Sequence, residues 1–385
     1  MKKKNVCKFI LKVTMIGNLK AKKAFLMQDA ISYTENIGSL ADGHGQYGSA
    51  IAPFACEKVM KYLSCLEDVD PSHFFEIMPK LFRDIHFDFL EKISKEYEVV
   101  VIDEVPMNYG VAIRGGTTLT VMYKGLFRGR DYVMTANVGD SDAFLFTVKD
   151  GIYRSKKLTF THEPTSEVEY KRIQTQFNRG AKFVFDTKGA QYTKDYLPIF
   201  DSDGKKIEYV DTYKPYNEAT ILYQNAWKAW DKAQKAQEPI DEINKTLKLA
   251  ISDYNLKKFQ YESSIDSKRF PSTQSGDRSA YIMTDTPNPV MLAITRSLGD
   301  YQFHKIGVIY EPFVNITDIS DEDLGDSSCI FMASDGILDC YFEDELAKIV
   351  LDGNPNELLD IFEAKSISLF HKIHDDMSYV TMRLK

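Results

Sequence analysis

The chain has 385 residues, 44% of them hydrophobic and 27% charged, which is enough to bury the core of one large domain or two smaller ones. Its net charge is −8, with 48 Lys and Arg against 56 Asp and Glu, which excludes bulk nucleic-acid binding and leaves room only for a local basic patch. Cys7, Cys56, Cys65, Cys329 and Cys340 form no Cys-x-x-Cys pair. Their odd number and wide scatter suit reduced thiols in a cytoplasmic or nuclear setting.

Met1-Lys2-Lys3-Lys4 mimics the basic start of a signal peptide, but Lys8 and Lys12 break the apolar stretch behind it. No run approaches the roughly 18 apolar residues of a membrane span, so no membrane association is expected. Phe9, Leu11, Val13 and Met15 alternate with polar residues at strand period, and Phe25 to Ile31 is a second apolar segment. Residues 47–66 predict a helix, with Ile51, Ala55, Val59 and Leu63 on one side and Pro53 in its first turn. Residues 72–97 predict another, with Phe75, Met78, Phe82, Ile85 and Phe89 aligned. Thr117 to Tyr123, Tyr132 to Asn137 and Ala143 to Val148 are short apolar runs separated by turns, the spacing of an antiparallel sheet.

Residues 186–290 differ in composition and read as a largely helical insertion between a first part, 1–185, and a second part, 291–385. Tyr223, Trp227 and Trp230 share one helical face, and Ile243, Leu247, Ile251 and Tyr254 share another. The two stripes are expected to bury each other and the wall of the parent domain, and a docking surface for a protein partner is the sharper alternative. Lys268 to Asp285 reads as a return loop. Beyond it, Ile330 to Ala333 predicts a buried strand, Glu343 to Val350 and Asn354 to Lys372 predict helices, and Tyr379 to Leu384 predicts a last strand.

Acidic motifs punctuate this pattern: Asp42-Gly43-His44-Gly45, Asn137-Val138-Gly139-Asp140-Ser141, Arg296-Ser297-Leu298-Gly299-Asp300, Ala333-Ser334-Asp335-Gly336 and Asp375-Asp376-Met377-Ser378. An Asp-Gly pair alone is an ordinary turn. Carboxylates at several strand ends have a sharper meaning. Hard divalent cations take converging carboxylate and carbonyl oxygens, and turn glycines let carbonyls approach an ion. Two such ions activate water and clamp a phosphoryl group.

With Met27-Gln28-Asp29-Ala30, Arg114-Gly115-Gly116-Thr117-Thr118 and Ala333-Ser334-Asp335-Gly336-Ile337-Leu338-Asp339, the ordered set resembles the metal-dependent Ser/Thr protein phosphatases of type 2C, the PPM family. The resemblance runs from about residue 17 to 385, outside the insertion. It implies an α+β fold, a four-layer α-β-β-α sandwich of two antiparallel sheets flanked by helices. It implies two Mn²⁺ or Mg²⁺ ions, with a weaker third, and a phosphorylated protein as substrate. Asp42 would bridge the two ions, the Gly43 carbonyl would ligate one, and Asp335 and Asp375 would hold the other. Asp29 would orient water on an ion, and Asp140 and Asp339 would serve the third site with Asp335. His44 would protonate the departing alkoxide of phosphoserine or phosphothreonine. Thr117, Arg296 and His162 read as scaffold, and Asp142, where an Arg commonly follows Gly-Asp-Ser, reads as neutral for catalysis.

Two positions depart from the family pattern. Gln28 stands where the family carries Glu, which removes a charge beside one metal. Ala24 stands where the family places the Arg that grips the substrate phosphate. Lys22, on the same strand face, would supply a point charge without the fork of Arg, and Lys23 points away. These departures keep a second hypothesis in view: a weak or inactive pseudophosphatase that binds a partner through its insertion. A metal-dependent nuclease or nucleotide hydrolase is a third; it needs a basic groove, and the acidic balance counts against it.

Overall fold

A computed structural model describes residues 27–66, 69–96, 99–108, 111–177, 181–186, 196–207, 213–236, 239–262, 280–286, 289–320, 324–355, 357–370, 373 and 375–384. The strand expected over residues 9–15, together with Lys22, Lys23 and Ala24, lies outside the described residues. The chain separates into two compact units: one made of the described residues up to Ala181 and from Ile282 onward, the other of Lys182–Tyr281.

The first unit is α+β, with antiparallel sheets and helices. Its five-stranded sheet has the order Ala30–Tyr33, Ile37–Ala41, Leu119–Phe127, Arg130–Val138, Phe313–Asp318. A four-stranded sheet has the order Ile152–Lys157, Asp142–Lys149, Ser327–Ala333, Tyr379–Arg383. The alternation of strand side chains sorts the apolar residues into separate cores. Val121 packs under α1 (Gly48–Leu63) and α2 (Pro71–Glu96), while its neighbour Met122 packs with Leu145, Ile330, Met332 and Val380 of the other sheet. Likewise Phe331 points away from Ile330 and Met332, into a cluster with Phe146, Phe362 and Tyr379.

The helices follow from their apolar stripes. Ile51, Ala55, Val59 and Leu63 are all buried on α1. Pro53 falls in the second turn of α1 rather than the first, because the helix starts at Gly48. There it forfeits one hydrogen bond to the preceding turn. On α2 the stripe is centred on Phe74, Met78, Leu81 and Ile85, so Phe75 lies on its flank and is 57% exposed, against the expectation that it faces the core.

Strand Ile152–Lys157 leads through buried His162 to α3 (Glu167–Phe177). In the second unit, strands Ala181–Asp186 and Tyr196–Pro198 pair antiparallel ahead of α4 (Tyr213–Ala236) and α5 (Asp241–Glu262), so the insertion is not helical throughout. Tyr223 stacks on Tyr254 with ring centroids 5.0 Å apart, and the Trp230 indole donates to Asn244 (2.9 Å). The stripe buried on α4 is Ala219, Ala226 and Ala233, with small side chains at heptad spacing, whereas Trp227 and Ile251 stay exposed. The aromatic stripe therefore covers only part of itself. The end of the expected return loop is a strand, Ala280–Thr284.

The first unit closes with α6 (Asp335–Leu338), α7 (Glu343–Asp352) and α8 (Leu358–Phe370), the last two packed on the aromatic cluster around Phe331. No helix among the described residues is long and apolar enough to cross a membrane.

Glu169, fully buried on α3, ties this unit together. Its carboxylate accepts from Arg172 (2.7 Å), Arg296 (2.6 Å) and the Thr295 hydroxyl (3.0 Å). Burial works against its charge, but the two guanidinium groups outweigh that and bring its pKa down to about 2. The native state therefore binds this proton more weakly than the unfolded chain, so the stabilisation is complete above pH 4.5 and is lost as the pH falls toward 2. Glu169→Gln leaves two buried guanidinium groups underpaired and should cost about 3 kcal/mol in urea unfolding at pH 7. An unfolding midpoint unchanged at pH 7 would show that the network contributes nothing.

Candidate active site

The sequence motifs meet where strands of both sheets end. Strand Gly43–Gly45 pairs with Gly115–Thr117, which pairs in turn with Leu298–Gly299. Asp42, immediately before, is fixed through its backbone. Its N–H donates to the Thr118 hydroxyl (3.0 Å), and its carbonyl accepts from the Thr117 hydroxyl (2.9 Å) and the Thr118 N–H (2.8 Å). Asp140 sits at the corner after Gly139, between strands Arg130–Val138 and Asp142–Lys149. Asp335 opens α6 directly after strand Ser327–Ala333, and Asp375 precedes strand Tyr379–Arg383.

Two serines lock those last strand ends together. The Ser334 N–H donates to the Ser378 carbonyl (3.1 Å), and the Ser378 N–H to the Ser334 hydroxyl (3.0 Å). The Ser378 hydroxyl donates to Asp29 (2.6 Å) and so brings a third chain segment in. Gly336 permits this closeness, because a Cβ there would lie 1.9 Å from the Asp376 carbonyl oxygen. Asp339 ends the same turn, its N–H donating to the Asp335 carbonyl (2.8 Å).

Gln28 is a hub of a different kind. Its N–H donates to the Asp376 carboxylate (2.8 Å), its carbonyl accepts from the Gly43 N–H (3.2 Å), and its side-chain amide donates to the Gly45 carbonyl (2.8 Å). An ionised Glu cannot make that last bond.

The carboxylates act on one another. Burial pushes Asp42 well above the ordinary carboxylate range, and Asp29, Asp335, Asp375 and Asp140 push it further. Burial, with Asp335 and Asp376 contributing, raises Asp29 to about 7, and burial with Asp335 raises Asp375 to about 7. Asp140 is raised by burial and by Asp335, and lowered in part by His44. One oxygen each of Asp29 and Asp335 is buried and lacks a hydrogen-bond partner among the described residues. Crowded, all-oxygen, partly unpaired acceptors are the donor set of a hard dication, and they fit one. No three His, Cys, Asp or Glu side chains among the described residues are grouped closely enough to hold an ion alone. Backbone carbonyl and water oxygens therefore have to complete any coordination shell, which such cations accept.

His44 stands beside the carboxylates with its ring 32% exposed and its Nε2 2.7 Å from Asp300. Burial lowers its pKa, but the Asp300 contact outweighs this and holds it above the ordinary value. Asp300 itself is buried and adopts a left-handed backbone (φ 46°), which costs a non-glycine residue on the order of 1 kcal/mol.

With this geometry in place the comparisons with known proteins fall into line. The sequence profile of protein phosphatase 2C matches residues 15–178 and 281–360. The chain belongs to the protein phosphatase 2C family. Similar solved structures include a sex-determining protein of C. elegans, 14% identical with a TM-score of 0.51, covering 99% of this chain and 66% of that one. A serine-threonine phosphatase 2C of Toxoplasma gondii is 12% identical with a TM-score of 0.51, covering 97% of this chain and 95% of that one. At such identities the likeness establishes the fold alone. No curated protein sequence matches the chain.

Within this phosphatase 2C fold, Asp29, Asp42, Asp140, Asp335 and Asp375 share one electrostatic neighbourhood with His44. Lys22 lies outside the described residues. Arg296 and His162 sit in the scaffold: Arg296 is paired to Glu169, and the His162 Nδ1 donates to the Gly139 carbonyl (3.2 Å) behind Asp140. Sequence reasoning quoted Asp300 in a motif but gave it no role, although it follows a strand end just as Asp42 and Asp335 do. It missed Glu169, whose setting in Glu167-Val168-Glu169 reads as ordinary charge in a first helical turn.

Two expectations follow for this phosphatase 2C chain without metal. Asp29 and Asp375 bind protons more tightly folded than unfolded, so stability should fall as the pH rises from 3.8 toward about 7. Divalent cation should abolish that slope. Melting temperatures measured from pH 5 to 8, with Mn²⁺ and with chelator, check it, and a flat metal-free profile would refute it. Gln28→Glu should cost the metal-free protein about 1 kcal/mol through loss of the donor to Gly45. Urea unfolding in chelator reads this directly, and an unshifted midpoint would show the bond to be without weight.

Proposed function

We propose that this chain is an active, metal-dependent Ser/Thr protein phosphatase that hydrolyses phosphoserine and phosphothreonine in proteins. The observation that carries the reading is the buried carboxylate cluster, with its unpaired Asp29 and Asp335 oxygens, set beside the exposed face of His44. Asp42 and the Gly43 carbonyl would hold one ion, with Asp42 shared to a second held by Asp335 and Asp375. Asp29 would orient a water, and Asp140 and Asp339 would serve a weaker third position. When bound, a pair of Mn²⁺ or Mg²⁺ ions supplies the charge that lets a water lose its proton near neutral pH and that neutralises phosphoryl oxygens.

The remaining work falls to the protein. Thr117 and Thr118 hold the Asp42 backbone still, and Ser334 and Ser378 hold Asp335 and Asp29 in register. His44 carries a proton to the departing serine or threonine oxygen. Its raised pKa keeps that proton in place to higher pH than an isolated imidazole would. Lys22 is our candidate for the cation that meets the substrate phosphate. The inserted unit, with Trp227 and Leu249 exposed, is where a protein partner would bind. The second reading, a catalytically silent scaffold, rests on Gln28 and Ala24, which stand where the family carries Glu and Arg.

The deciding experiment is hydrolysis of a phosphothreonine peptide and of p-nitrophenyl phosphate with Mn²⁺, Mg²⁺ or EDTA. Asp335→Asn and Asp375→Asn should each weaken Mn²⁺ binding in calorimetry and remove turnover while leaving the circular dichroism spectrum intact. His44→Ala should lower peptide turnover by about a hundredfold and aryl phosphate turnover much less, because nitrophenolate leaves without a proton. Wild-type turnover in both Asp variants would sink the assignment, and no metal-dependent turnover in the unmodified chain would leave the scaffold reading standing.

A further inference from the structure

The strand end that carries Asp300 is held from behind by a buried group of rings. His86, on α2, accepts the Gly299 N–H at its Nδ1 (3.2 Å), and His304 donates its Nε2 proton to the Gly299 carbonyl (3.1 Å). Both backbone groups of one residue are therefore gripped by imidazoles whose rings lie 4.6 Å apart. The Tyr301 hydroxyl donates to the His86 carbonyl (2.8 Å), and the Tyr310 ring lies 4.8 Å from that of His86. From the front, the Asp300 N–H donates to the Gly115 carbonyl (3.0 Å). Gly116 leaves the space for the carboxylate, since a Cβ there would lie 2.2 Å from Asp300 Oδ2. Opposite Gly116 in the ladder is His44, whose Nε2 meets that same oxygen. These contacts together hold one carboxylate against one imidazole nitrogen.

We infer that Asp300, clamped by His86 and His304, is the positioning residue of the general acid: it fixes the His44 ring through Nε2 so that Nδ1 presents its proton to the leaving oxygen. The inference rests on the phosphatase reading above and adds a residue to it. Asp300 acts on the reaction only through His44, by holding the ring orientation and by stabilising the tautomer that keeps Nε2 protonated after Nδ1 has given up its proton. In that step a water oxygen bonds to phosphorus as the ester P–O bond breaks, the proton passes from His44 Nδ1 to the departing oxygen, and the products are inorganic phosphate and a neutral alcohol.

A positioning role has a signature that a merely structural one lacks. Alkyl phosphates need the proton, and aryl phosphates with an acidic leaving group do not. Asp300→Asn keeps the shape but replaces the charged acceptor of the imidazole N–H by a neutral amide. It should lower kcat on a phosphothreonine peptide by about a hundredfold, and about tenfold more than on p-nitrophenyl phosphate. Combined with His44→Ala it should add nothing further, because both changes remove one function. His86→Gln, which retains an acceptor for Gly299, should cost less than His86→Leu on the peptide and show the same leaving-group bias. Independently of turnover, the metal-free protein should give a downfield imidazole N–H proton resonance, assigned through His44→Ala, that Asp300→Asn removes. Equal losses on the two substrates, full additivity with His44→Ala, or a resonance that survives Asp300→Asn would each overturn the inference while leaving the phosphatase reading intact. Absence of metal-dependent turnover in the unmodified chain would overturn both.

Discussion

Holding several buried carboxylates within one another's field is the constraint on which the rest of this molecule depends. Like charges out of water repel strongly, and nothing in a flexible loop would keep them together. The fold answers with rigidity. Asp42, Asp140 and Asp335 each sit at a strand end, Asp29 accepts from the Ser378 hydroxyl just before the last strand, and Asp375 accepts from the Asp376 N–H. The strands are rigid because they are packed on both faces. Val121 and Met122, or Phe331 and Met332, face different cores, so a strand cannot shift without disturbing apolar contacts on each side. The stability of the cores thus offsets the electrostatic cost of the site, and bound cations would remove the rest of it.

Close approach matters as much as charge. Gly336 and Gly116 are small for reasons that concern the site rather than turn conformation. One admits the Asp376 carbonyl beside α6, and the other admits the Asp300 carboxylate beside His44. Any side chain at either place would separate elements whose nearness is the site. The departure at Gln28 also takes on physical content. Its amide stitches the chain entering the site to Gly45, so an amide in place of the family carboxylate gains a hydrogen bond and adds no further charge beside the carboxylate cluster.

Much of this was legible in the sequence, and the limits are instructive. Helices α1 and α2 were readable because their apolar stripes are long and amphipathic, and their ends were placed within a few residues. The exposed Phe75 was misjudged because spacing alone does not locate the centre of a stripe, and Phe74 beside it takes the core position. The acidic residues stood out because each ends an apolar run in an ordered series. Tertiary partnerships were the part that did not show. Asp300 meets His44 across 256 residues, and Glu169 meets Arg296 across 127. Neither pairing leaves a local pattern, since a lone acid after a strand or in a helix looks the same whether it faces solvent or a buried cation.

The inserted unit follows another logic. Ala219, Ala226 and Ala233 let α4 approach α5 closely, and Tyr223 stacks on Tyr254, yet Leu222, Trp227, Leu249 and Leu256 remain exposed. Two helices in contact can each bury only one stripe, so a hairpin with apolar residues beyond that stripe must leave them in water or cover them with something else. In the phosphatase unit α1, α2, α7 and α8 instead bury their apolar stripes in cores shared with strands. Constraint in this chain is therefore divided: the phosphatase unit fixes its strand ends by packing those strands on both faces, whereas the helical hairpin of the inserted unit buries a stripe of alanines and leaves several larger apolar side chains exposed.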